Sequence, residues 1–276
     1  MSLDIKKVYV DTRWKTSDSK SDSDFSIELP RSFNVPDNVI AYIDDIILPV
    51  SFSSINENNN TLYFGYIIPN IETTVAIITI DPGNYTGASF AEALKTKLNL
   101  WGATKVPSGI AYVNKFNVTY HQPNNSIKIT ISDNNWILFV YSDEDLKKGI
   151  TPFSTIAVPK SLNKVLLLNR STRIDNGLPF ITVIDLHTIR NLYLTSSALC
   201  AYNSISNFGN DTIIKKIPVK ANYNEMLFHD SGSGFDYLDI TPRTLRYIDF
   251  KLVDSYFNIV DLRNNHWSFS IIFSQK

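Results

Sequence analysis

The sequence predicts an all-β protein, mainly antiparallel, with one amphipathic helix. Three observations carry this. Aromatic residues make up 12% of the chain, with 14 Tyr and 16 Phe; together with abundant Ile, Val and Thr they suit pleated, half-buried surfaces. Apolar residues recur with period two in many short runs, and turn clusters separate the runs at close spacing. Only one segment has a convincing helical period. Such a pattern belongs to a sandwich, a jelly roll or a barrel, and the absence of a repeat of roughly 20–50 residues argues against a solenoid or propeller.

The elements follow in order. "KKVYVDTR" is the first, and the polar loop "WKTSDSKSDSD" after it is rich in Ser and Asp, which favour turns. "FSIELP" alternates Phe25, Ile27 and Leu29 with Ser26 and Glu28, a half-buried strand expected to stop at Pro30. "NVIAYIDDIILP" is a longer strand closed by Pro49, and "SSINENNN" is a turn cluster. "TLYFGYII" and "TTVAIITI" are two further strands. The helix is "SFAEALKTKLNLW", residues 89–101: Phe90, Leu94, Leu98 and Trp101 share one face, Ser89 and Glu92 form an S-x-x-E capping box, and Gly102 stops it. It is expected to lie across one sheet.

"KFNVTYHQPNNSIKITI" reads as a hairpin around "HQPNN", and "NWILFVY" as the next strand. "SDEDLKKG" is a charged turn that suggests a module boundary. Strands resume with "KVLLLN", "FITVIDL", "NLYLTSS", "IIKKIPV", "EMLFHD", "TLRYIDFKLVD" and the terminal "HWSFSIIF". In the last of these, Trp267, Phe269 and Ile271 share one face by period two, and Ser268, Ser270 and Ile272 the other.

A chain of 276 residues can hold one elaborate β domain or two smaller ones and bury a core without staples. A hydrophobic share of 43% and a charged share of 19% exclude wholesale disorder. The net charge is −1 and no basic run occurs, which argues against nucleic-acid binding. The lone cysteine, Cys200, excludes an internal disulfide and a cysteine-rich zinc site, and its apolar setting predicts a buried filler. "MSLDIKKVYVDTR" lacks the apolar core of a signal peptide. "VIAYIDDIILPV" is too short to span a bilayer and carries Asp44 and Asp45. The sequons at Asn84 and Asn117 are read as chance in an Asn- and Thr-rich chain.

No catalytic constellation emerges. His121, His187, His229 and His266 show no ligand spacing. Asp185 and Asp230 are the acids a triad with His187 or His229 would use, but no G-x-S-x-G nominates a nucleophile. "SGSGF", residues 231–235, has the glycines of a phosphate loop without its Lys or its helix. The carboxylate groups are Asp44/Asp45, Asp143/Glu144/Asp145 and Asp236/Asp239. Adjacent strand residues point to opposite faces, so Asp44 and Asp45 are not expected to line one site, and a glycosidase pair is not found. Trp14 and Trp101, beside a polar loop and at a helix end, are the candidate surface aromatics for stacking on a sugar. Trp136 and Trp267 head apolar strands and are expected in the core.

The ordered pieces resemble the penton, or minor capsid, proteins of virophages and polinton-like viruses. The matching pieces are the D-T-R start at Asp11–Arg13, the S-D-F strand at Ser23–Phe25, D-D-I-I-L-P at Asp44–Pro49, N-T-L-Y-F at Asn60–Phe64, and the G-N-Y-T turn at Gly83–Thr86 ahead of the helix. The ending "LRYIDFKLVDSYFNIVDLRNNHWSFSIIF" is similar too, with a D-x-x-x-N-x-V-x-L turn and then W-S-F. The resemblance covers most of the chain and is weakest over residues 142–190. Where the family has a glycine in the turn before the last strand pair, this chain has Phe257.

The resemblance implies a single jelly-roll capsid subunit with an added β module. Five copies would close each vertex of an icosahedral shell of double jelly-roll trimers. The fold expected is therefore all-β: a jelly-roll-type β-sandwich plus a β module carrying the helix. The expected division is an N-terminal module of residues 1–145 and a C-terminal module of 146–276, or else a jelly roll of 1–55 plus 160–276 with 56–159 inserted. The expected function is structural, with no enzymatic activity, no cofactor and no metal. The expected partners are further copies in a pentamer and a major capsid protein, without specific nucleic acid or membrane insertion. Residues 12–24 are the candidate assembly arm, with Asp11, Arg13, Trp14, Asp24 and Phe25 as its contact residues. The protein would reside in the virion after synthesis in the host cytoplasm or a viral factory. The rival is a β-sandwich module of a viral spike that binds a glycan or receptor.

Overall fold

The computed structural model describes residues 5–68, 71–106, 113–149, 151–157, 159–201, 212–230 and 236–276. The chain divides into two units, Met1–Phe52 with Ile189–Lys276, and Ser53–Thr188. In chain order the first unit begins with β1 (Lys6–Asp11), β2 (Asp24–Val35) and β3 (Val39–Pro49). The second supplies β4 (Thr61–Ile68), β5 (Ile71–Thr79), α1 (Gly87–Ala103), β6 (Phe116–His121), β7 (Ser126–Ile131), β8 (Ile137–Val140), α2 (Asp143–Lys148), α3 (Asn163–Leu166), β9 (Thr172–Ile174) and β10 (Phe180–Val183). The first unit then resumes with β11 (Asn191–Thr195), β12 (Ile213–Pro218), β13 (Met226–Asp230), β14 (Leu238–Ile240), β15 (Arg243–Val253) and β16 (Ser268–Gln275).

The first unit is a jelly roll. One sheet has the order β1-β16-β3-β13, with β14 also on β3, and the other has the order β12-β11-β15-β2. The chain crosses between sheets at β1–β2–β3, again at β12–β13, and at β14–β15–β16, which is the double Greek-key path of this architecture. Period-two residues from both sheets meet in one core that includes Val10, Ile27, Ile43, Leu192, Ile248 and Phe273. The closing strand β16 lies between β1 and β3, in the middle of its sheet. Trp267, Phe269 and Ile271 are buried as the period predicts.

Two irregularities matter. Pro30 does not stop β2. It lies inside an edge strand, where its missing N–H is not needed. Glu28 pairs with Tyr247 and Phe33 with Leu245, so Leu29, Pro30, Arg31 and Ser32 oppose Arg246 alone. Arg246 plugs this bulge by donating to Glu28 at 2.7 and 3.0 Å and to the Pro30 carbonyl at 3.1 Å. The second irregularity is in β3, where Asp44 and Asp45 together oppose Ser270, because Ile43 pairs with Ile271 and Ile46 with Phe269. This bulge breaks the alternation that was expected to send the two carboxylates to opposite faces. Asp44 pairs with Lys7 at 3.4 Å and Asp45 accepts from the Ser270 hydroxyl. Lys7 is on the Tyr9 side of β1, and Tyr9 pairs with Ser270, so both acids engage the outer face of the sheet.

The second unit is a smaller sandwich of two antiparallel sheets, β5-β4-β8-β9 and β10-β7-β6, with α1 against β6. Its own core includes Leu62, Phe64, Phe90, Leu94, Ile129 and Leu138. The helix starts two residues earlier than expected and ends two later. Its capping box is Thr86 with Ser89, not Ser89 with Glu92: Ser89 N donates to Thr86 Oγ1 at 3.2 Å, and Thr86 N to Ser89 Oγ at 2.9 Å. Asn99 on the helix then mimics a strand. It donates to the Phe116 carbonyl at 2.8 Å and accepts from the Phe116 amide at 3.1 Å, tying α1 to the start of β6.

The expected boundary at 145/146 is corrected, since it would cut between β8 and β9, which pair in one sheet. The alternative of 1–55 plus 160–276 has a nested order like the one seen. It misplaces residues 160–188, whose α3, β9 and β10 belong to the second unit. "KVLLLN", read as a strand, is the helical turn α3, with Leu167 at φ 48° closing it. Val165 and Leu166 are both buried, so an apolar run this short gives no period to separate turn from strand. "SDEDLKKG" forms α2, capped by Ser142. Short β9 and β14 were not expected at all. Cys200 is half-buried rather than buried. "SGSGF" lies outside the described residues.

Candidate functional site

Most of the acids singled out in the sequence have structural partners. The His187 backbone amide donates to Asp185 at 2.9 Å, which makes a turn and not a triad. Asp236 receives the buried Lys215 ammonium, and Asp239 the Lys276 ammonium at 2.5 Å. Asp143 accepts from Ser161 and Asn163, and Asp145 from Ser142 and Ser171. Burial and the nearby Lys215 push the His229 imidazole below its ordinary value. Among the described residues no three metal-ligating side chains cluster.

The feature that stands out is an open side of the jelly roll. Among the described residues β1 pairs with no strand but β16, and β2 with none but β15, so each is the edge of its sheet; residues 16–21 bond the start of β2, at Asp24 and Ser26. Between these two edges runs a groove of about 680 Å³, lined by Lys6–Tyr9, Asp11, Trp14 and residues 27–34. Unpaired edges leave a row of backbone N–H and C=O groups open to a partner.

Local sequence explains the shape. Val10 points into the core, so Tyr9 points out and is 79% exposed. Asp11 then ends the strand. It accepts the Arg13 backbone amide at 2.9 Å and the guanidinium at 2.5–3.1 Å, closing a 3-10 turn over Thr12–Trp14. That turn leaves Trp14 81% exposed at the groove. The guanidinium of Arg13 holds the Asp11 carboxyl below its usual range, and Arg246 does the same for Glu28.

The candidate arm is not free. Thr12, Asp22 and Ser23 are buried. The Thr12 amide donates to the Trp267 carbonyl at 3.0 Å, and the Trp267 amide to Thr12 Oγ1 at 3.1 Å. Asp22 takes Lys15 at 2.8 Å and His266 at 3.2 Å. Phe25 is core, packed at 5.4 Å on Phe250 and edge-on to Trp267 at 5.9 Å. Residues 12–24 are therefore a strap across the start of the closing strand, because their Ser and Asp groups find local backbone partners. Of the five arm residues, Arg13 and Trp14 are exposed and only Asp11 and Trp14 line the groove; Asp24 pairs with Lys251.

Trp101 is half-buried, packed by its ring against the core of the second unit. Its ring lies 4.8 Å from Phe64, 4.9 Å from Tyr66, 5.9 Å from Phe116 and 6.1 Å from Trp136, with Lys105 over it at 5.9 Å. Sequence reasoning missed Lys6, Tyr9 and Arg31 as groove residues. The period marks Tyr9 as outward-facing, but only the sheet order makes its strand an edge.

Fold and groove together define a class: a single jelly roll whose β3–β11 connection carries a second β unit. No family model matches the chain, and no curated protein does. Among solved structures the chain is similar to the crystal structure of the selenomethionine-labelled mavirus penton protein. The match covers 99% of this chain and 100% of that one, with a TM-score of 0.51 at 9% identity. The chain shares that protein's fold.

Proposed function

We propose that this chain is a structural virion protein, a penton-type subunit of an icosahedral capsid vertex, and not an enzyme. One observation carries the reading: the likeness to the mavirus penton protein runs the full length of both chains, inserted unit included. The occupied carboxylates, the near-neutral charge and the open sheet edges agree with an assembly role. Five copies would close a ring through heterologous contacts between neighbours. Further partners would be the major capsid protein of the shell, without specific nucleic acid. No described helix is long and apolar enough to cross a membrane. The residence would be the virion, after synthesis in the host cytoplasm or a viral factory.

Light scattering coupled to size-exclusion chromatography tests it. Pentamers, or monomers that become pentamers at high concentration, are expected, and a stable dimer overturns the proposal. The exposed Trp14 favours one second reading, a glycan- or receptor-binding module of a viral spike. A glycan array probed with the wild type and Trp14→Ala decides it: retained binding by neither protein removes that reading.

A further inference from the structure

We propose that the free edge of β1 accepts an extended acidic peptide segment of another polypeptide as an added strand. The groove between β1 and β2 would hold its side chains. This rests on reading the groove as an assembly site and adds the chemistry of its occupant.

Charge is the first argument. The groove is lined by five charged residues. Asp11 is neutralised by Arg13, Glu28 by Arg246 and Lys7 by Asp44, all partners outside the lining. Lys6 and Arg31 have no charged partner among the described residues. The groove therefore presents two uncompensated cations beside apolar Val8, Phe33 and Trp14. An acidic chain with apolar residues complements both.

Edge chemistry is the second argument. Lys6 and Lys7 at the start of β1 and Pro30 within β2 are the devices that keep like edges apart. Two copies paired β1 to β1 would set lysines near lysines. The same lysines attract an acidic strand, so the edge rejects itself and admits a partner of opposite charge. Pro30 and the bulge around it withhold β2 from a regular ladder, which leaves β1 as the pairing edge. Trp14 and Tyr9 supply large, rigid contact surface at its margin.

The experiment uses the full chain and three labelled peptides of about eight residues, the length of a strand. The first alternates Val with Glu, the second replaces Glu by Lys, and the third places Pro at the centre of the acidic peptide. Fluorescence anisotropy is expected to show one acidic peptide bound per chain. The Lys6→Glu/Arg31→Glu variant, altered only at exposed positions, should weaken binding about tenfold or more. The central Pro should abolish it, and the backbone amides of β1 should exchange more slowly with peptide bound. The proposal is overturned if the lysine or proline peptide binds as well, if the variant binds unchanged, or if inorganic polyphosphate competes equally. It is also overturned if only a second copy occupies the groove, seen as self-association that the acidic peptide does not displace. Scattering on the same samples separates the two readings. Pentamers that ignore every peptide retain the capsid reading and remove this one; a stable dimer that binds the acidic peptide does the reverse.

Discussion

The indole Nε1 of Trp267 donates to the backbone carbonyl of Asp22 at 2.7 Å, a buried bond between residues 245 positions apart. It pins the strap to the closing strand. Trp267 also packs face to face on Phe269 at 4.9 Å. Trp267→Ala should therefore cost about 3–5 kcal/mol, read as a lowered urea midpoint. A chain ending before Trp267 loses the strand between β1 and β3 and should show no cooperative unfolding transition. Normal folding of that chain would contradict the central placement of β16.

Deleting residues 13–21 should destabilise the fold as well as any assembly, because Lys15 and the turn it anchors hold Asp22 in place. Asp22 also gives a pH signature. Burial raises its carboxyl pKa, but the bonds from Lys15, His266 and Thr12 outweigh this and hold it below its ordinary value of 3.8. A depressed pKa contributes stability that is complete above the ordinary value and disappears as pH falls through the folded one. The stability difference between the wild type and Asp22→Asn should therefore be constant near neutrality and shrink below about pH 4. A difference unchanged at acid pH would exclude the ion pair as its source.

Trp14→Ala removes a side chain that touches little of its own unit. Its unfolding midpoint should match the wild type within about 0.5 kcal/mol, while self-assembly or partner capture weakens. Loss of stability without loss of assembly would reverse the assignment.

Trp101→Ala should behave in the opposite way. Its half-buried ring packs on four aromatic neighbours of the second unit's core, so truncation should cost about 2–3 kcal/mol. Binding to any glycan that the wild type recognises should be unchanged in the fraction that remains folded.

Phe257 has φ 61°, in the left-handed region. Asp254 holds this turn, accepting the amides of Tyr256 at 2.7 Å and Asn258 at 3.0 Å. The geometry is thus the one a glycine would give, and the phenylalanine bears about 1–2 kcal/mol of strain for it. Phe257→Asn should be neutral or stabilising by up to about 1 kcal/mol, whereas Phe257→Val should lower the melting temperature. A large loss with Asn would mean that the ring's contacts outweigh the strain.

Much of this was legible locally. Period two placed Phe25, Ile27, Leu29, Trp267, Phe269 and Ile271 in the core, and period 3.6 placed Phe90, Leu94 and Leu98 under the helix. These signals lie within a few residues of one another, so the chain states them directly. Pro30, the paired Asp44 and Asp45, and "KVLLLN" were misread because bulges and short buried turns answer to a neighbouring strand, not to their own sequence.

The sequence by itself determined the fold class and the closing strand. Tertiary structure alone decided the units, the edges and the groove. Lys6 opposite Phe273 and Asp22 beneath Trp267 join the two ends of the chain. Which strand is an edge depends on closing a core from segments more than 200 residues apart, and no local period carries that information.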